Sequence, residues 1–502
     1  MEQTIKRHIL GSMLLLLPGL AYTQNWQWSE HFGGPGHDWG RIGAIDGAGN
    51  VYCFGTYAGS GPGTYQDLYV GFDTLVGSSA SFITKHDASG NLQWALNCSS
   101  ISGGVGLIAM ALDTSNDILI ATGIHTAAIS FGTAFLPDSG AFVAKLDLNG
   151  NCLGAINIGS RWTIATGLTI DDQGDLYVSG FVGNLGAATI GGDTIAPGSF
   201  IAKFQNDMTP IWSKELISGL WGTYDEPRLY PYSLGWQGGQ IFVHGMAAQT
   251  STSGPFAADT VQVEVGNGGG YALLGIDASN GVTKWIRTMG FPDGSFAVLH
   301  QPVAFGGNGR IYCVGTAYGD STHFGNDTTI VLPSEGNLSY LVEYDLNGAL
   351  RSIGTYGPEV YLTAVTATDM GELIVLGSTT APSAIGSCVQ LDGVFMSRLD
   401  STGQCLGTVE VADDGLGLSV QQSADGIYLT CSTPGAPQFG TSTFAGTSVT
   451  RYGFEDVLLA KHDLALGVGS FHMPEQVGLE IYANPNQGSF NLKIPDPFLH
   501  EQ

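Results

Sequence analysis

Asn50, Val51, Tyr52, Cys53, Phe54 and Gly55 form the stretch on which the reading of this chain turns, together with what flanks it. Before it stand an alternating run (Ile42, Ala44) and a turn (Asp46, Gly47, Ala48, Gly49). After it come Gly71, Phe72, Asp73, Thr74 and Leu75, then Ser81, Phe82, Ile83, Thr84, Lys85, His86 and Asp87, a second turn (Ala88, Ser89, Gly90, Asn91), Leu92 and Trp94. Short runs with period-two alternation, broken by Asx and Gly turns, predict antiparallel strands joined by hairpins.

The end of that strand recurs through the chain, closing on Gly55, Gly123, Gly180, Gly245, Gly315, Gly377 and Cys431. Seven copies, spaced 54 to 70 residues apart, each leave room for four short strands and their loops. This predicts an all-β fold, a seven-bladed β-propeller over residues 25–465. The last copy ends at Lys461, His462 and Asp463 without the turn and tryptophan strand of the others. Asn25 to His31, with Trp26 and Trp28, match the strand that carries Trp94, Trp212 and Trp285. The N-terminal strand is therefore expected to pair into the last blade and close the ring, removing the edges an open array would expose. Residues 466–477 read as a linker, and 478–502 as a short C-terminal β-hairpin tail that is too small to bury a core.

Two further phases repeat. Tyr52, Tyr177, Tyr312 and Tyr428 share one and are expected in the core between blades. Lys85, Lys145, Lys203, Arg398 and Lys461 share the other and are expected on a solvated strand face, their stems lying along apolar surface.

Composition bounds the function. A net charge of −27 and a pI near 4.4 oppose binding to nucleic acid or to an anionic membrane surface. Lys6 and Arg7, the apolar run from Met13 to Leu17 and small residues near Ala21 read as a secretory signal over residues 1–24, too short to span a bilayer. The mature chain is thus expected to be secreted or at the cell surface, by way of the periplasm, with no membrane span, and as a monomer. Of seven cysteines, Cys53 and Cys313 share one repeat position and Cys152 and Cys405 another. Equivalent positions of a ring lie far apart, so most are expected to be buried free thiols.

No HExxH, nucleophile elbow, phosphate-cradling glycine loop or paired CxxC is present in the sequence. His86 and His462 fill a slot held by Leu146, Leu399 or Phe204 in sister repeats, so they read as strand residues rather than metal ligands. His125, His244, His300 and His323 fall near strand ends without a spacing pattern. The turns at 46–50, 147–151 and 171–175 are acidic enough to suggest calcium, yet lack the alternating oxygen ligands of a calcium loop; no metal or other cofactor is expected. The recognition candidate is an insertion between Trp212 and Gly238 that carries Trp221, Tyr224, Asp225, Glu226, Arg228, Tyr230, Tyr232 and Trp236. Rigid aromatics beside carboxylates and an arginine suit a sugar ring or a peptide.

On Gly49, Asn50, Val51, Tyr52 and Gly55, and on Phe82 to Asp87 ahead of Gly90, the repeats resemble the bacterial β-propeller repeat known as SBBP, over roughly residues 25–465. Asp277, Ala278, Ser279, Gly281 and Trp285 are similar to the tryptophan-docking repeat of quinone-dependent dehydrogenases. The tail at Tyr482, Asn484, Pro485, Gly488 and Phe490 resembles the start of the type A sorting domain of the type IX secretion system, with Ala483 where that family has proline. The resemblance implies the type IX secretion machinery as a partner. The function expected is a non-catalytic binding or scaffold module with a glycan or protein ligand. The alternative is a propeller enzyme acting on glycans, or a protein similar to the quinone-dependent dehydrogenases.

Overall fold

The computed structural model describes residues 26–58, 66–77, 80–98, 104–131, 134–184, 186–219, 227–248, 256–263, 270–290, 302–317, 321–324, 328–331, 338–368, 371–385, 388, 390–433, 441–463, 480–483 and 490–493. The chain divides into two compact units: Gln24–Leu466, and Met1–Thr23 with Gly467–Gln502. In the second unit Glu480–Ala483 pairs with Phe490–Lys493, so the tail hairpin forms as expected.

The first unit is a seven-bladed β-propeller. Six blades follow the chain, each built on four antiparallel strands of which the innermost comes first: His37–Ile45, Val105–Asp113, Thr163–Ile170, Arg228–Gln237, Val303–Gly306 and Val360–Ala367. The fourth and sixth sheets are each extended to six strands by a hairpin, Ser321–Phe324 with Thr328–Val331 and Thr441–Phe444 with Thr447–Thr450. In the seventh blade, Leu416–Ser423, Gly426–Ser432 and Val457–His462 supply three strands, and Trp26–Phe32 supplies the outermost. Trp28 stands opposite Lys461 and Phe32 opposite Val457, with a register shift between Trp26 and Trp28. The ring is closed by its own N-terminus, as the spare tryptophan strand predicts.

Alternation decides where the core sits. Side chains of one sheet face point to the preceding blade and those of the other to the next, so both faces of an inner sheet are apolar. Seven hydrophobic clusters result, one per interface; the cluster joining the last blade to the first gathers Phe32, Ile42, Val51, Tyr428, Val457 and Leu459. Tyr52, Tyr177, Tyr312 and Tyr428 are buried, each worth roughly 1.5–3 kcal/mol of burial.

The lysine phase departs from expectation. Lys145 and Lys461 are buried, and their ammonium groups cross to the turn of the next blade instead of facing water. Lys85 Nζ donates to the Leu148 carbonyl at 3.2 Å, Lys145 Nζ to the Asn206 carbonyl, and Lys461 Nζ to the Ala88 carbonyl at 3.4 Å. Tryptophans aim at the same carbonyls: Trp28 Nε1 at Ala88 (2.9 Å) and Trp94 Nε1 at Leu148 (3.2 Å), while Trp285 Nε1 bonds Leu346 (3.1 Å). The lysines also lie over the buried tyrosines, as Lys203 does over Tyr177 at 4.9 Å. A cation that is desolvated at a packed seam needs fixed oxygen partners, and the exposed carbonyl of a tight turn is one that the next blade can offer. The repeated Trp and Lys are thus an interblade latch.

The acidic turns are explained by the same local chemistry. Asp46 Oδ1 accepts the backbone N–H groups of Ala48 and Asn50, and Asp147 Oδ1 those of Asn149 and Asn151; Asp171 repeats the pattern. These are Asx turns, whose carboxylates are bonded to their own backbone. Cysteine redox state is mixed: Cys53, Cys98, Cys152, Cys313 and Cys431 are free, whereas Cys388 and Cys405 form a disulfide. That bond lies within one blade, where Cys388 follows the long second strand and Cys405 opens the fourth. Repeat phase compares positions between blades and so gives no sign of it.

Candidate functional site at the mouth of the channel

Six of the seven innermost strands carry a β-bulge at a common place, with the extra residue being Gly43, Ile108, Thr166, Tyr232, Thr363 or Leu418. A bulge inserts one residue against a single partner and re-aims its side chain. Here it breaks the alternation that would bury that residue between blades. Ile108, Gly43, Thr166 and Tyr232 line a cavity of about 150 Å³ at the centre of the ring. Ile108 and Leu418 line a neighbouring one of about 130 Å³.

Arg41, Phe54 and Ile108 belong to both cavities, so the Arg41 side chain stands between them. The smaller cavity is completed by Trp39, Thr56 and Leu107, and the larger by polar groups that include Thr166, Ser233 and Gln421. Among the described residues lining the two, Arg41 is the only one that carries charge; no carboxylate or imidazole is in either lining. Burial draws the pKa of the guanidinium below its ordinary value. Alternation along His37–Ile45 explains the placement: Trp39, Arg41 and Gly43 share the channel side, whereas Asp38, Gly40 and Ile42 face the blade-7 seam. Trp39 is 43% exposed, a large aromatic at the rim.

Beside the rim, the strands that close the ring form a polar lock. His31 Nε2 lies 2.8 Å from Asp456 Oδ2, which also accepts the Tyr452 N–H at 2.7 Å. His37 Nδ1 lies 2.8 Å from Glu455 Oε2, and Trp39 Nε1 donates to the same oxygen. Asp38, 2% exposed, accepts the Gly34 N–H. Burial holds its carboxyl up at about 8; the Gly34 N–H opposes that rise, and Asp456 and Glu455 add to it by repulsion. Asp38 and Asp456 are both closed off from solvent, so these two carboxyls hold the seam and do not reach a ligand, whereas Trp39 at the rim stays open. Exposed Tyr69 and Tyr452 pack over it with ring centroids 5.9 Å apart.

Of the insertion singled out in the sequence, Trp221, Tyr224, Asp225 and Glu226 lie outside the described residues. Arg228, Tyr230 and Trp236 all fall on the innermost strand of blade 4. Tyr230 meets Phe181 of blade 3 edge-on at 5.8 Å, and Trp236 packs against the core between blades 3 and 4. Tyr232, named with them in the same insertion and pushed out by the bulge, is the one that reaches the channel. Nothing in the sequence reading pointed to Asp38, Trp39, Arg41 or Asp456. The available signal was local: the first repeat opens with a charged and aromatic run, from His37 to Arg41, where the sister strands other than that of blade 4 are mostly aliphatic, hydroxyl or glycine residues.

The histidines sit in the framework. His86 and His462 are buried on third strands in equivalent register, opposite Val51 and Ile427. His125 Nε2 lies 2.7 Å from Asn157 Oδ1. His244 stacks on Tyr271 at 5.4 Å, and burial takes its pKa down to about 3. His323 is on the strand Ser321–Phe324, opposite Gly290; His300 lies outside the described residues. Among the described residues, no three His, Cys, Asp or Glu side chains gather as a metal site. Of the tail motif, Tyr482 and Phe490 lie on the hairpin strands, while Asn484, Pro485 and Gly488 fall outside the described residues.

The fold defines the class: a closed seven-bladed β-propeller with a lined central channel. No protein-family model matches the chain, and no curated protein sequence matches it. Similar solved structures include BamB from Moraxella catarrhalis (10% identity over 83% of this chain and 95% of that one, TM-score 0.38). A PL25 polysaccharide lyase, an ulvan lyase, is similar at 10% identity over 87% of this chain and 95% of that one, with a TM-score of 0.46. The quinohemoprotein alcohol dehydrogenase from Comamonas testosteroni is similar at 11% identity over 89% and 78%, with a TM-score of 0.41.

Proposed function

We propose that this chain is a secreted or cell-surface propeller that works as a binding module, taking its ligand at the rim and mouth of the central channel. One observation carries the reading. Bulges in the innermost strands turn side chains into the channel, beneath an exposed tryptophan, in a ring made rigid by the latch. A rigid aromatic over a preformed cavity loses little conformational freedom on binding, which is what recognition requires. A catalytic reading, whether on glycans or as a relative of quinone-dependent dehydrogenases, calls for acids or imidazoles converging on the cavity; a guanidinium among hydroxyls and an amide favours binding instead.

Export through the type IX secretion system belongs to the same proposal, supported by the N-terminal signal pattern and by Tyr482, Asn484, Pro485, Gly488 and Phe490; so does the assignment of the blades to the SBBP repeat. The test is a glycan and peptide array probed with the mature chain and with Trp39→Ala. The reading requires at least one specific signal that Trp39→Ala loses while still folding and melting cooperatively. An array with no signal, or signals indifferent to Trp39, would overturn it. Export is tested by locating the chain after Tyr482 and Asn484 are changed to alanine, which should retain it in the periplasm.

A further inference from the structure

We infer that the channel is a binding site for a small monoanion built on a six-membered ring, its acid group held by the Arg41 guanidinium and its ring by the cavity walls. The inference rests on the binding-module reading and names the ligand chemistry. Three observations support it.

The first is position. Arg41 lines both cavities, so an acid group in either one meets it, and the residues around it bring no competing negative charge into the lining. Glu455, the carboxylate that Trp39 holds at the rim, has Oε2 engaged by Trp39 Nε1 and His37 Nδ1. A guanidinium offers five N–H donors in a planar fork, enough to grip a carboxylate with two while keeping others for its protein partners.

The second is size. At about 30 Å³ per water, cavities of about 130 and 150 Å³ hold four or five waters each, and about 150 Å³ is room enough for a benzene ring. Either cavity takes one ring, so no more than a single unit of a polymer would fit. The net charge of −27 points the same way, since it would repel a polyanion far more than a single acid group.

The third is the lining. Phe54, Ile108 and Leu107 give one chamber apolar walls suited to a ring face, with Trp39 at the rim to stack on it; Thr166, Ser233 and Gln421 give the other polar walls suited to ring hydroxyls. The common chemistry is a ring carboxylate. A uronic acid would use the polar chamber and an aromatic acid the apolar one.

The experiment is calorimetric titration of the mature chain with D-glucuronate, benzoate, D-glucose and sodium sulfate, repeated for Arg41→Gln, Arg41→Lys and Ile108→Phe. Glucuronate or benzoate should bind, and whichever binds identifies the source of the acid. Affinity should fall at least tenfold in Arg41→Gln, and less in Arg41→Lys, which keeps charge but loses the fork. Glucose should not compete. Should Arg41→Gln not fold, Ile108→Phe decides, because it fills both cavities and leaves Arg41 in place; it should abolish binding with the melt intact. Equal binding of glucose and glucuronate, acid binding indifferent to both Arg41→Gln and Ile108→Phe, or sulfate alone bound would overturn the anion site. A neutral glycan or peptide that binds through Trp39 while every acid fails would overturn it and leave the binding module standing. If nothing binds at all, both fall.

Discussion

Trp28 donates its indole Nε1–H to the carbonyl of Ala88 at 2.9 Å, across the seam where the last blade meets the first. The two residues are sixty apart in sequence and belong to different sheets. The bond is one copy of the latch repeated between Trp94 and Leu148 and between Trp285 and Leu346, but here it also holds the chain's N-terminal strand in place.

Removing Trp28 should therefore unlock the ring. Trp28→Ala is expected to cost about 3 kcal/mol, the low end for a buried tryptophan, because this side chain is only partly buried. Trp28→Phe keeps the ring and loses the N–H, which should cost about 1 kcal/mol. Urea unfolding followed by circular dichroism measures both. Deleting residues 25–33 should have a larger effect than either, since it exposes the edge of Val457–His462 along its whole length; an unchanged melt of that deletion would refute closure.

Gly90 forms the floor under the same indole. Its φ of +90° lies in the left-handed region, and a Cβ there would come within 2.7 Å of Trp28 Cδ2. Gly90→Ala should destabilise by about 1–3 kcal/mol from backbone strain alone, with the clash in addition. Gly47, in the neighbouring turn, has nothing within 4 Å of where a Cβ would sit. Gly47→Ala should be neutral, or stabilising by up to about 1 kcal/mol. Equal effects of the two substitutions would contradict the latch geometry.

Asp38 makes the closure seam sensitive to alkali. Its carboxyl in the folded state ionises at about 8 instead of near 4, chiefly because it is buried. Between these values the folded protein holds a proton that the unfolded chain has released, so stability falls as pH rises from about 4 to about 8 and the full cost is present above that. At roughly 1.4 kcal/mol per pH unit the cost is on the order of several kcal/mol. Asp38→Asn removes the ionisation; its melting temperature should gain on the wild type progressively from pH 5 to pH 8.5. Parallel profiles would rule the mechanism out.

His86 works in the opposite direction. Burial takes its pKa down to about 4, its Nδ1 lies 3.1 Å from the Gly90 carbonyl, and Nε2 is buried without a hydrogen-bond partner. The unfolded chain takes up the proton first, near 6.5, so stability is lost as pH falls from about 6.5 to about 4. Sister blades place Leu146 and Leu399 in this slot. His86→Leu should match the wild type near pH 7 and melt higher at pH 5, as seen by scanning calorimetry. A lower melt at pH 5 would refute the prediction.

The blades were legible because their signals are local. Alternation over five residues and an Asx–Gly turn report a strand end wherever they occur, and seven copies in one phase leave few folds to choose from. The buried tyrosines followed from the same phase. The lysines did not: a cation two residues before a turn aspartate reads as a surface group until the next blade's carbonyl is brought over it. The free thiols were legible from repeat phase, whereas Cys388 with Cys405 was not, because the loop that brings them to a Cα separation of 5.8 Å belongs to one blade only.

The candidate site was harder to read. An aromatic-rich insertion drew notice to Tyr230, Tyr232 and Trp236 alike, but only Tyr232 reaches the channel, and a bulge is a property of pairing between two strands that neither strand reveals alone. By itself the sequence determined seven sheets and a strand at the N-terminus to close them, since hydrophobic period and turn residues act over a few bonds. Only the tertiary structure decided that Arg41 would stand in the channel and Asp38 against Asp456, because those neighbours are set by the curvature of a closed ring, which brings together residues more than four hundred positions apart.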